Sequence, residues 1–131
     1  MKNGLYTSIF IIVLGACCHL GLPWWAIVPI AAVAAILFPQ TPALSFSTAF
    51  AAGTLLWYSS AFLLNTANGG ALSAKIGQLF LGLKGIHLVM ITGVLGGTLA
   101  GLGALTGTYF RGLFAPRTSK RYQGKRATYK I

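Results

Sequence analysis

Between Leu5 and Phe110 the chain carries only two charged side chains, Lys75 and Lys84. A water-soluble domain spends about a quarter of its residues on charges of both signs, because its outer faces must be hydrated. Here 8% of residues are charged, 56% are hydrophobic, mean hydropathy is +0.76, and Asp and Glu are absent. Uncharged stretches of this length belong to the lipid phase, where a helix satisfies its own backbone polar groups. An all-α polytopic membrane protein with about four transmembrane helices is the expectation.

Turn signals divide the apolar sequence into four segments. The first, 5–21, follows Lys2 and closes at Gly21-Leu22-Pro23. The second, 24–38, stops at Pro39-Gln40-Thr41-Pro42. At a rise of 1.5 Å per residue it reaches roughly 23 Å, against a hydrocarbon core of about 30 Å. It must therefore thin the bilayer or form only part of a span, and a re-entrant hairpin made of the first two segments is the alternative to two crossings. The third, 43–64, ends at Asn65 and the Asn68-Gly69-Gly70 turn, and the fourth, 86–110, stops at Arg111. A bundle over 1–110 and a basic tail over 111–131 follow, without an internal repeat.

Within 71–84, Leu72, Ile76, Leu79, Phe80 and Leu83 fall on one helical face, with Ser73 and Gln78 elsewhere and Lys75 at the flank. That pattern predicts a short interfacial helix on the membrane surface. Leu81 points away from the face, which leaves an irregular connection packed on the bundle as the alternative.

Orientation is read from the basic residues, because Lys and Arg near span ends are retained on the cytoplasmic side. Seven of the ten lie from Arg111 onward. An even number of crossings then puts both termini in the cytoplasm of a multi-pass protein of the bacterial inner membrane. Lys75 and Lys84 fall outside, against the trend. Trp24 and Trp25 are expected at the outer boundary, Tyr6 and Tyr109 at the inner one, and Trp57 and Tyr58 between helices. Leu14-Gly15-Ala16-Cys17 resembles a lipoprotein cleavage box, but another apolar segment follows it instead of a polar tether.

A chain without Asp or Glu cannot perform carboxylate acid–base chemistry, relay protons through carboxylates, or offer acidic side-chain oxygens to magnesium or calcium. Cys17 and Cys18 are adjacent, about 100° apart on a helix, and lack redox or zinc spacing. His19 and His87 should both lie toward the outer surface, where imidazoles serve as amphipathic anchors. Neither metal nor cofactor is expected, and nothing orients a Ser or Cys nucleophile. Enzymatic activity is not expected. Asn65, Asn68, Gln78 and Lys75 are read as loop-capping groups on that side, with Asn68 starting the turn.

Two features point to interaction instead. Gly93, Gly97 and Gly101 recur every four residues, beside a second row of Gly96, Ala100 and Ala104 and a pair at Gly103 and Gly107. Such glycine-zipper rows let another helix approach to backbone contact, either within the chain or in a second copy or subunit. The tail carries Arg111, Arg117, Lys120, Arg121, Lys125, Arg126 and Lys130 without apolar periodicity. Its counter-charges must come from anionic lipid, from acidic residues of a partner subunit, or from RNA phosphates. The function expected is that of a non-enzymatic accessory or assembly subunit of a larger inner-membrane complex. A small oligomeric channel or carrier, or a ribosome-linked insertion factor, are the alternatives.

Overall fold

A computed structural model describes residues 2–18, 21 and 23–114, with Cys18 described by its backbone. Among these residues every regular element is helical: α1 (Lys2–Cys18), a 3-10 turn (Trp24–Ala26), α2 (Ile27–Leu37), α3 (Pro42–Ala67), α4 (Ala71–Leu79) and α5 (Gly85–Phe114). The breaks fall at the turn chemistry. Thr41 is extended, at φ −68° and ψ 151°, as the residue before proline must be, and Pro42 opens α3 where its missing N–H costs nothing. At the other end of α3 the Gly70 N–H donates to Asn68 Oδ1 at 3.1 Å, and Gly69 and Gly70 take the left-handed φ values of +64° and +72° that the turn requires.

Most ends shift by a few residues from the sequence reading, and two of the differences change the architecture. The segment expected to be helical over 71–84 is helix only as far as Leu79, because Leu81 and Gly82 adopt positive φ and turn the chain into α5. Leu72, Leu79, Phe80, Leu81 and Leu83 are exposed, and α4 docks through its small residues: the Leu83 carbonyl sits where Gly77 would carry a Cβ, and Ser73 packs on Gly85. Second, α5 continues beyond 110 to Phe114, so that Arg111 lies in its last turn.

Helices α3 and α5 run antiparallel. Tyr58 meets Gly93, Thr54 and Phe50 meet Gly97, Phe46 meets Gly101, and Ser45 meets Ala104 and Thr108. Alongside them, α2 is parallel to α5, with Val28 on Gly103 and Ala32 on Gly107. Helix α1 is parallel to α3, with Gly4 against Thr48 and Gly15 against Leu56. An antiparallel α1–α2 hairpin, held where Tyr6 and Phe10 pack on Phe38, completes a ring in the order α1, α2, α5, α3. Alanines dominate the core, at positions 31, 34, 35, 49, 52, 100 and 104, joined by Ile11, Ile27 and Leu56. The start of α1 and the end of α5 both touch the first two turns of α3, so they share one end of the bundle, called the terminal end below; α4 lies at the opposite, distal end.

Helices α3 and α5 are each long and apolar enough to cross a membrane, while Lys2–Cys17 and Trp24–Leu37 are shorter apolar stretches. Only 22% of the most apolar part of α3 and 44% of that of α5 are buried. The core helix of a soluble protein would be mostly enclosed; here Leu63, Leu64, Leu95 and Leu102 face outward at 65%, 69%, 56% and 52% exposure. The contacts of Val28 and Ala32 set α2 beside the second half of α5, leaving the first half without it.

Candidate functional site

The small residues of α5 form two faces. Gly93, Gly96, Gly97 and Gly101 are buried against α3, under Tyr58, Trp57, Thr54 and Phe46 respectively. Gly103 and Gly107 are buried against α2, where a Cβ on Gly103 would stand 2.5 Å from the Val28 carbonyl oxygen and one on Gly107 would overlap that of Ala32. Ala100 and Ala104 lie between the faces, fully buried. Both faces are thus filled by helices of the same chain. Gly53 supplies the reciprocal gap on α3, since a Cβ there would approach the Gly96 carbonyl oxygen to 2.9 Å.

At the terminal end, hydroxyl and amide groups join the helices. Thr7 Oγ1 donates to the Asn3 carbonyl at 2.8 Å and accepts from Gln40 Nε2 at 2.5 Å. Gln40 Oε1 accepts from Thr48 at 3.4 Å, and Asn3 Nδ2 donates to the Pro39 carbonyl at 2.8 Å. The α2–α3 connection is thereby tied to both α1 and α3. Between the neighbouring helices α5 and α3, Thr108 donates to Ser45, which reaches the Ala104 carbonyl. Sequence reasoning gave Pro39 and Gln40 only as a turn signal and Ala104 only as a small residue, and did not single out Asn3, Thr7, Ser45, Thr48 or Thr108. The signal was nevertheless there, because a hydroxyl or amide within or beside an apolar run must find an acceptor when water is excluded.

One turn beyond Thr108, Arg111 is partly buried, and its Nη1 is enclosed without a hydrogen-bond partner among the described residues. Thr54 Oγ1, pressed against Gly97, is the other enclosed polar atom in this condition among the described residues. The remaining tail cations, Arg117, Lys120, Arg121, Lys125, Arg126 and Lys130, lie outside the described residues. So does His19. Cys17 and His87 are exposed, at the end of α1 and the start of α5, and among the described residues no three His, Cys, Asp or Glu side chains group together. Tyr109, Phe110, Leu113 and Phe114 surround the last turns of α5 with exposed apolar and aromatic surface.

Among the described residues, fold and site define an all-helical bundle with two helices able to cross a membrane, close-packed through glycine and alanine and bearing an enclosed guanidinium nitrogen without a partner at its terminal end. No protein-family model matches the sequence, and neither a curated protein nor a solved structure matches it.

Proposed function

We propose that the protein is a non-enzymatic accessory or assembly subunit of a larger complex in the bacterial inner membrane, docking on its partner through anionic groups at the terminal end. The observation that carries this reading is the Nη1 atom of Arg111, enclosed without an acceptor among the described residues, in a chain that has no Asp or Glu. Leaving a buried charged donor unpaired costs more than leaving a neutral one, about 1–3 kcal/mol, which favours an acceptor on another molecule. Six further cations follow within the tail, with the same deficit of intramolecular partners.

In this reading α3 and α5 cross the bilayer and both termini are cytoplasmic. The position of α2 beside only the second half of α5 favours a re-entrant α1–α2 hairpin over two further crossings, and either arrangement leaves the termini on one side. A carrier working as a single copy would need a polar path between its helices, and the alanines and glycines of α2, α3 and α5 fill that space. Purification in mild detergent followed by mass spectrometry tests the proposal. A specific membrane subunit should co-purify with the wild type and be depleted with Arg111→Gln. Recovery of self-oligomers alone would favour the channel reading, and recovery of ribosomal proteins the insertion-factor reading.

A further inference from the structure

Beyond Gly93, toward the distal end, α5 carries Val89 and Leu88 instead of glycine, and α4 packs against α5 and α3 there. A cavity of about 260 Å³, open on one side, remains there, walled by Ala61, Leu64, Leu72, Ile76 and Leu88. It has one polar end. Asn65 Oδ1 accepts from Ser73 Oγ at 2.5 Å, and Asn68 Oδ1 accepts from the Gly70 N–H. Both side-chain oxygens are therefore used within the protein, and the Nδ2 donors of Asn65 and Asn68 have no partner among the described residues. Lys75, on α4 between the lining residues Ser73 and Ile76, and Lys84, just before α5, are exposed and lie outside the lining itself, and the chain has no Asp or Glu to neutralise them.

Size decides between occupants. The cavity holds on the order of nine groups of about 30 Å³, the volume of a water or methylene. A helix about 10 Å across is far too large for it. We propose that the groove binds one acyl chain of an anionic phospholipid, whose phosphate is held by the amide donors of Asn65 and Asn68 and by the ammonium groups of Lys75 and Lys84. The inference rests on the membrane reading above but on different residues from the terminal end.

Native mass spectrometry of the detergent-purified protein, with phosphatidylglycerol, phosphatidylcholine or glycerol phosphate added, tests it. The wild type should retain one phosphatidylglycerol in preference to phosphatidylcholine, and glycerol phosphate should bind much more weakly because it lacks the chain. Removing both cations, as Lys75→Gln with Lys84→Gln, should cut the preference about fivefold per lysine. Filling the groove with Ala61→Trp should abolish retention, while Arg111→Gln should leave it unchanged. Undiminished preference in the double Lys variant overturns the proposal, whether or not Ala61→Trp folds; so does equal binding of glycerol phosphate, which would make the site a phosphate site alone. Recovery of the chain in the soluble fraction of lysed cells would instead sink the membrane reading itself.

Discussion

Thr108 on α5 donates a 2.9 Å hydrogen bond to the Ser45 hydroxyl on α3, and both side chains are buried. Ser45→Ala removes the acceptor and leaves the Thr108 hydroxyl to its own helix. It should lower stability by about 1 kcal/mol, in the range of interhelical hydrogen bonds in membranes. Ser45→Ala combined with Thr108→Val should cost less than the sum of the single changes, because neither buried group is then left unsatisfied. Thermal melts of the four proteins in one detergent measure this coupling; strict additivity would mean that the two hydroxyls do not interact.

The glycines of α5 should respond to alanine in a fixed order. Gly107→Ala drives a methyl into the Ala32 carbonyl, a backbone atom that cannot swing aside, and should cost about 1–3 kcal/mol by overpacking. Gly101→Ala meets the Phe46 ring, the outer end of a side chain that shifts more readily than backbone, and should cost less. At Gly112 no described atom lies within 4 Å, so alanine there should be neutral or slightly stabilising through its helix propensity. Gly97→Leu, against the Phe50 carbonyl and Thr54, should disrupt the α3–α5 pairing outright. Melting temperatures that failed to rank in this order would mean that α5 faces lipid where it is drawn against α2 and α3.

Topology can be read with reporters. A phosphatase fused after Ile131 should be inactive, and one inserted at Gly69, in the turn between α3 and α4, should be active in the periplasm. An insertion at Gly21 separates the two readings of the hairpin: it should be inactive if α1 and α2 turn back within the bilayer, and active if they cross it. Activity after Ile131 would reverse the orientation derived from the basic tail.

Replacing Arg117, Lys120, Arg121, Lys125 and Arg126 with Gln should release a co-purifying subunit if the tail docks on protein. If lipid is its counter-charge, the same variant should lose affinity for anionic vesicles, and the wild type should lose it as salt shortens the screening length to about 8 Å at physiological strength. Because these residues also direct insertion, the reporter at Gly69 must remain active in the variant. Retention of every partner and of vesicle binding would reduce the tail to an orientation signal.

Much of the architecture was legible from local chemistry. Pro42 after Thr41, and Asn68 before Gly69 and Gly70, fixed the ends of α3 because proline and left-handed glycine act on their own backbones, whatever surrounds them. The need for a close neighbour was equally plain from the spacing of Gly93, Gly97 and Gly101. Sequence spacing could not say which neighbour, and the two faces went to different helices: α3 covers that row, and α2 covers Gly103 and Gly107. Arg111 reads as the end of a span because charge ends the apolar run, yet helix geometry does not stop at a charge, and α5 carries it on to Phe114. The meeting of Ser45 with Thr108 and the groove beside Asn65 depend on residues far apart in the chain. Local propensity decides where a backbone can turn; which surfaces then fit is settled only by the shapes that several helices present to one another at once, and those tertiary contacts put each of these groups where it is.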